Sequence, residues 1–71
     1  MNAFRVTRYT GVGDHDYVAT GETEFLDAES VIKHLTTFFG VTQTQVLIAM
    51  LQVQDHVAWL TDVDGFEVEV I

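Results

Sequence analysis

Residues 26–51, LDAESVIKHLTTFFGVTQTQVLIAML, carry two sets of helix start and stop signals back to back. Asp27 suits an N-cap, where a short side-chain oxygen accepts a hydrogen bond from a first-turn amide, and Glu29 suits the positive end of the helix dipole. Leu26 and Val31 stand at the two positions of a hydrophobic staple. Val31, Ile32, Leu35, Phe38 and Phe39 recur at helical spacing and build one apolar face. Gly40 ends the helix, since glycine enters the left-handed backbone region without a Cβ penalty. Thr42-Gln43-Thr44-Gln45 then forms a capping box, in which the Thr42 and Gln45 side chains each satisfy the other's backbone N–H. Val41 and Val46 repeat the staple.

The second helix runs on through Val46-Leu47-Ile48-Ala49-Met50-Leu51 and is apolar around nearly its whole circumference; no charged residue occurs between Gly40 and Gln54. A helix of that kind is normally buried on more than one side. A chain of 71 residues has little material to cover it. Its surplus face, carrying Leu47, Met50 and Leu51, is the expected surface for self-association, and a homodimer the expected assembly.

Strands flank the helices on both sides. Phe4 to Thr10 is rich in β-branched and aromatic residues, with Phe4 and Val6 pointing one way and Arg5, Thr7 and Tyr9 the other. Residues 11–16 are turn chemistry. Tyr17 to Thr20 opens a second strand, which continues as Glu22 to Phe25 after an expected bulge at Gly21. At the C-terminus Asp64-Gly65 predicts a two-residue type I′ hairpin turn. That turn pairs Val63 with Phe66, Thr61 with Val68 and Trp59 with Val70. It places Val57, Trp59, Val63, Phe66, Val68 and Val70 on one side, and Asp62, Glu67 and Glu69, with Ala58, Leu60 and Ile71, on the other. The order is ββααββ. The expected fold is α+β: one domain over residues 1–71, a four-stranded antiparallel sheet with two helices packed on one face.

Apolar residues make up 48% of the chain, enough for a packed core, and without cysteine the fold has neither disulfides nor thiolate metal sites. Eleven acids against three bases, Arg5, Arg8 and Lys33, leave a net charge of −8. Nucleic acids and anionic membranes are held by neutralising phosphate with Lys and Arg, so neither is expected as a direct partner. A basic protein is the partner such a surface favours. Met1 to Tyr9 alternates and carries arginines in place of a signal peptide's apolar core, and the longest apolar run, Val46 to Leu51, is far short of a bilayer span. The expected compartment is the cytoplasm.

No motif selects a catalytic centre, a cofactor or a metal. His15, His34 and His56 lack the spacing that puts two ligands on one helix face. Asp62-Val63-Asp64-Gly65 resembles part of a calcium loop, but Leu60 and Ile71 stand where that loop needs ligands. Gly11-Val12-Gly13 lacks the third glycine, the following helix and the lysine of phosphate-binding loops. Ser30 and His34 are four apart on a helix, with no third group to orient the histidine. The distinctive feature is acidic alternation: Glu22 and Glu24 share one side of a strand, as do Glu67 and Glu69, with Asp62 expected beside them. These five are the candidate partner-binding residues. The expected function is therefore a non-enzymatic interaction, adaptor or inhibitor module acting through an acidic sheet face and an apolar helix. The alternatives are a structural homo-oligomer and, further off, an enzyme with a site between subunits.

Overall fold

The computed structural model describes residues 3–11, 16–53 and 56–71. Its elements follow the order ββααββ: β1 Phe4–Thr10, β2 Val18–Phe25, α1 Ala28–Phe39, α2 Gln43–Leu51, β3 Ala58–Trp59 and β4 Asp64–Val70. The strands form one antiparallel sheet in the order β2-β1-β4-β3, so the first and last long strands are its centre.

Both helices form where the local signals place them. Asp27 Oδ1 accepts from Ser30 N at 2.7 Å, and Gly40 takes the left-handed conformation (φ 66°, ψ 37°) while its N–H donates to the Thr36 carbonyl. Val41 N–H donates to the same oxygen at 3.1 Å, closing the helix end. Thr42 and Gln45 complete the capping box at 2.8 and 3.1 Å. Of the two staples, Val46 is buried with Val41 packed against the core, whereas Leu26 is 72% exposed.

The core lies between the helices and one sheet face: Val6, Val31, Leu35, Val46, Ala49, Ala58 and Phe66, with Phe4, Phe25, Ile32, Phe39 and Val68 against it. Among the described residues no helix lies on the opposite sheet face. On the β1–β2 side the extra residue of the bulge is Thr20, not Gly21: Gly21 pairs with Arg8, and the register steps to Ala19 opposite Tyr9. Gly21 serves a different purpose, since Arg8 Nη2 lies where its Cβ would be.

The C-terminal hairpin differs from its expected register. Asp64 and Gly65 belong to β4, and the reversal occupies residues 60–63. There Thr61 Oγ1 accepts from Val63 N and Asp64 N at 3.2 and 3.0 Å, and Leu60 N donates to the Asp64 carbonyl at 2.8 Å. Ala58 pairs with Phe66 and Trp59 with Gly65. This is an odd displacement from the expected pairing, and an odd slip reverses faces. Trp59 therefore shares a face with Glu67 and Glu69, while Ala58 joins Phe66 and Val68 in the core. Gly65 is required by close approach: a Cβ there would lie 2.7 Å from Val57 Cγ1 and 2.8 Å from Trp59 Cε3.

Candidate functional site

The helix-free face is a grid set by strand pairing. Residues paired across antiparallel strands point to the same face. Arg5 sits between Glu24 and Glu69, and Thr7 between Glu22 and Glu67. With neighbouring strands about 4.8 Å apart and alternate residues about 7 Å apart, the four glutamates mark the corners of a rectangle roughly 10 by 7 Å at the backbone. The two acidic pairs predicted separately thus become one surface, because β2 and β4 both flank β1. Thr7, midway between Glu22 and Glu67, is 5% exposed beneath its longer neighbours.

Arg5 does not neutralise the grid evenly. Its Nε lies 3.7 Å from Glu22 Oε1 and its Nη2 3.6 Å from Glu24 Oε2, both on the β2 side. Such partly exposed pairs contribute about 0–1 kcal/mol each. Among the described residues no cation stands within ion-pair distance of Glu67 or Glu69. Glu67 Oε1 instead accepts from the Tyr9 hydroxyl at 3.2 Å. Burial, followed by the Glu67 charge and this hydrogen bond, raises the Tyr9 pKa above its ordinary value. Asp62 is not on the grid; it lies exposed in the connection between β3 and β4.

The grid runs into an aromatic row. Tyr17 stands edge-on to Tyr9 (5.2 Å between centroids) and to Trp59 (5.4 Å). Trp59 Nε1 is buried without a partner among the described residues. Sequence reasoning placed Tyr9 and Trp59 on faces but did not bring them together. Their meeting depends on the register of β3 against β4.

A second polar cluster lies on the helix side, at Arg8. Its Nη1 is 3.0 Å from Thr23 Oγ1 and 3.0 Å from His34 Nε2, and its Cζ is 4.7 Å from the Phe38 ring centroid. A guanidinium only donates, so His34 Nε2 is the acceptor and the ring proton resides on Nδ1. Burial first and the Arg8 charge second lower the His34 pKa. Ser30 and His34 line one open cleft of about 460 Å³ with Phe25 and Phe38, but with Nε2 held by Arg8 the histidine is no base for the serine. Period-two alternation from Phe4 and Val6 puts Arg8 on the helix side. That was the signal available for this residue.

On α2, Val46 and Ala49 are buried, whereas Leu47 is 46%, Met50 40% and Leu51 86% exposed, with Ile48 beside them. Among the described residues no group of three or more His, Asp or Glu side chains gathers as a metal site, and no helix is long and apolar enough to cross a membrane. His56 has a left-handed backbone (φ 70°) ahead of β3. His15 and the remainder of Gly11-Val12-Gly13 beyond Gly11 lie outside the described residues. Comparison with family models, with curated proteins and with solved structures returns no match, so the reading of this surface rests on its own geometry.

Proposed function

We propose that this chain is a non-enzymatic interaction module whose helix-free sheet face receives a basic protein partner. The observation that supports it is the grid: four glutamates around one arginine, on a face that no described helix covers, in a chain of net charge −8. Like charges brought together on a rigid surface raise the local potential, steer a cationic partner and favour its docked state. The adjoining Tyr9–Tyr17–Trp59 row adds ring faces that suit Arg and Lys side chains.

The test is a titration of the isotope-labelled protein with a short Lys/Arg-rich peptide at low and at high salt, followed by amide shifts. Shifts concentrated on β1, β2 and β4 and suppressed by salt are expected. Shifts scattered over outlying acids such as Asp16, Asp27, Glu29 and Asp62 would refute a built surface.

A second reading, self-association through α2, is favoured by the exposed run Leu47, Ile48, Met50 and Leu51. Fully burying one such side chain contributes about 1.5–3 kcal/mol, and the segment brings no charge to oppose a second copy.

A further inference from the structure

Helix α1 carries two stripes with different tasks. Val31 and Leu35 are buried in the core. Ser30, Lys33, His34 and Thr37, spaced i, i+3, i+4 and i+7, share another side of the helix and line an open cleft of about 460 Å³. Phe25 at the end of β2 and Phe38 complete its lining. All six residues fall within 16–53, a stretch the structure describes without a break. The volume is that of a small-molecule site, for which about 300–1,000 Å³ is typical.

The walls of this cleft are aromatic and its polar groups are donors. The His34 ring centroid lies 5.0 Å from that of Phe25 and 5.7 Å from that of Phe38. Phe38 is 54% exposed, so part of its ring remains open to a ligand. Ser30 and Thr37 bring hydroxyls and Lys33 an ammonium; among the described lining residues there is no carboxylate. Arg8 stands behind the rings, with Nη1 3.0 Å from His34 Nε2 and Cζ 4.7 Å from the Phe38 centroid. Because that nitrogen accepts from Arg8, the other imidazole nitrogen is a donor as well. Two of the chain's three bases thus converge here, in a molecule of net charge −8. The neighbouring acids of α1 are engaged elsewhere. Asp27 Oδ1 accepts from the Ser30 amide at 2.7 Å, and Glu29 lines a separate groove with Ala28, Ile32 and Thr36, which Lys33 also borders.

We propose that this cleft binds a small aromatic monocarboxylate. The flat ring stacks among Phe25, His34 and Phe38, and the carboxylate accepts from Lys33 and from the Ser30 or Thr37 hydroxyl. A multiply charged phosphate suits the site less well, because its rings cannot solvate a dianion and the whole chain repels added negative charge. The cleft lies on the helix side of the sheet, so the inference stands apart from the glutamate grid and its basic partner.

The test titrates isotope-labelled protein with 2-naphthoate, 2-naphthamide and cyclohexanecarboxylate, followed by amide shifts. For 2-naphthoate, saturable shifts concentrated on residues 25–38 are expected, with a Kd of about 1 mM or tighter. The amide keeps the ring without the charge and the cyclohexane acid keeps the charge without an aromatic face; each should bind about threefold more weakly or worse. Lys33→Gln, at an exposed position, should weaken 2-naphthoate by about two- to fivefold and leave 2-naphthamide unchanged. Phe38→Leu should weaken both naphthyl ligands. Equal affinity for 2-naphthoate and 2-naphthamide, or for 2-naphthoate and the cyclohexane acid, overturns the proposal, as does an unchanged affinity for 2-naphthoate in Lys33→Gln. Shifts centred on the exposed Leu47, Ile48 and Leu51 of α2, or shifts still rising at about 10 mM, also overturn it. The comparison of the three ligands uses the unsubstituted protein, so it does not depend on either variant folding.

Discussion

Replacing Gly65 by alanine tests why a glycine stands in the middle of the sheet. The new Cβ would lie 2.7 Å from Val57 Cγ1, 2.8 Å from Trp59 Cε3 and 3.1 Å from the Ala58 carbonyl oxygen. Favourable carbon–carbon contact lies at about 3.5–4.0 Å, so the first two are short by roughly 0.7 Å or more. Neither neighbour yields easily. Val57 is stiff at χ1 and 1% exposed, and Trp59 is backed by Tyr17. Overpacking of this kind costs about 1–3 kcal/mol. Alanine also narrows the unfolded ensemble, which returns about 0.4–1 kcal/mol. The net expectation is about 1–2 kcal/mol of destabilisation. At about 4–8 °C per kcal/mol for a domain of this size, Tm falls by roughly 5–15 °C. Thermal and urea unfolding followed by circular dichroism measure it, with Trp59 fluorescence as a local report. Adding Val57→Ala removes the first clash, so a double-mutant cycle should show favourable coupling between the two sites. An unchanged or raised Tm for Gly65→Ala, or strictly additive effects in the cycle, would refute the close-approach account.

Three further outcomes are expected. Because the folded pKa of His34 is lowered, the unfolded chain takes up its proton more readily; the stability this group contributes is full above about pH 6.5 and declines as pH falls through that value toward the lower folded pKa. Urea midpoints across that range should show the decline, and His34→Gln, which keeps an acceptor for Arg8, should flatten it. Thr42→Ala breaks the capping box and should cost about 1 kcal/mol, read as a lower urea midpoint with an unchanged slope. Leu51→Glu, at a position 86% exposed, should convert a dimer to a monomer in sedimentation while preserving the circular dichroism spectrum; a monomeric unsubstituted protein at high concentration would refute self-association through α2.

Element types and order were legible because their causes are local. Asp27, Gly40 and the Thr42/Gln45 pair act within a turn of the residues they cap, and the alternation of β1 and β4 is a property of each strand by itself. The acidic pairs were legible for the same reason, two residues at a time. Their union was not. It depends on β4 crossing the sheet to lie beside β1, a pairing between opposite ends of the chain. The C-terminal hairpin marks the boundary between the two kinds of information. Asp64-Gly65 has the local chemistry of a tight turn, yet β4 is paired with β1 along its whole length, and that long ladder outweighs a two-residue preference. The reversal moves to residues 60–63, where the Thr61 hydroxyl gathers two amides, and the glycine makes room for Val57 and Trp59 instead. Local chemistry thus determined the type and order of the elements and where the helices begin and end, but not the bounds of the C-terminal strands. Only tertiary pairing decided which faces those strands present, because a side chain's face follows from register, and register is set by the partner strand.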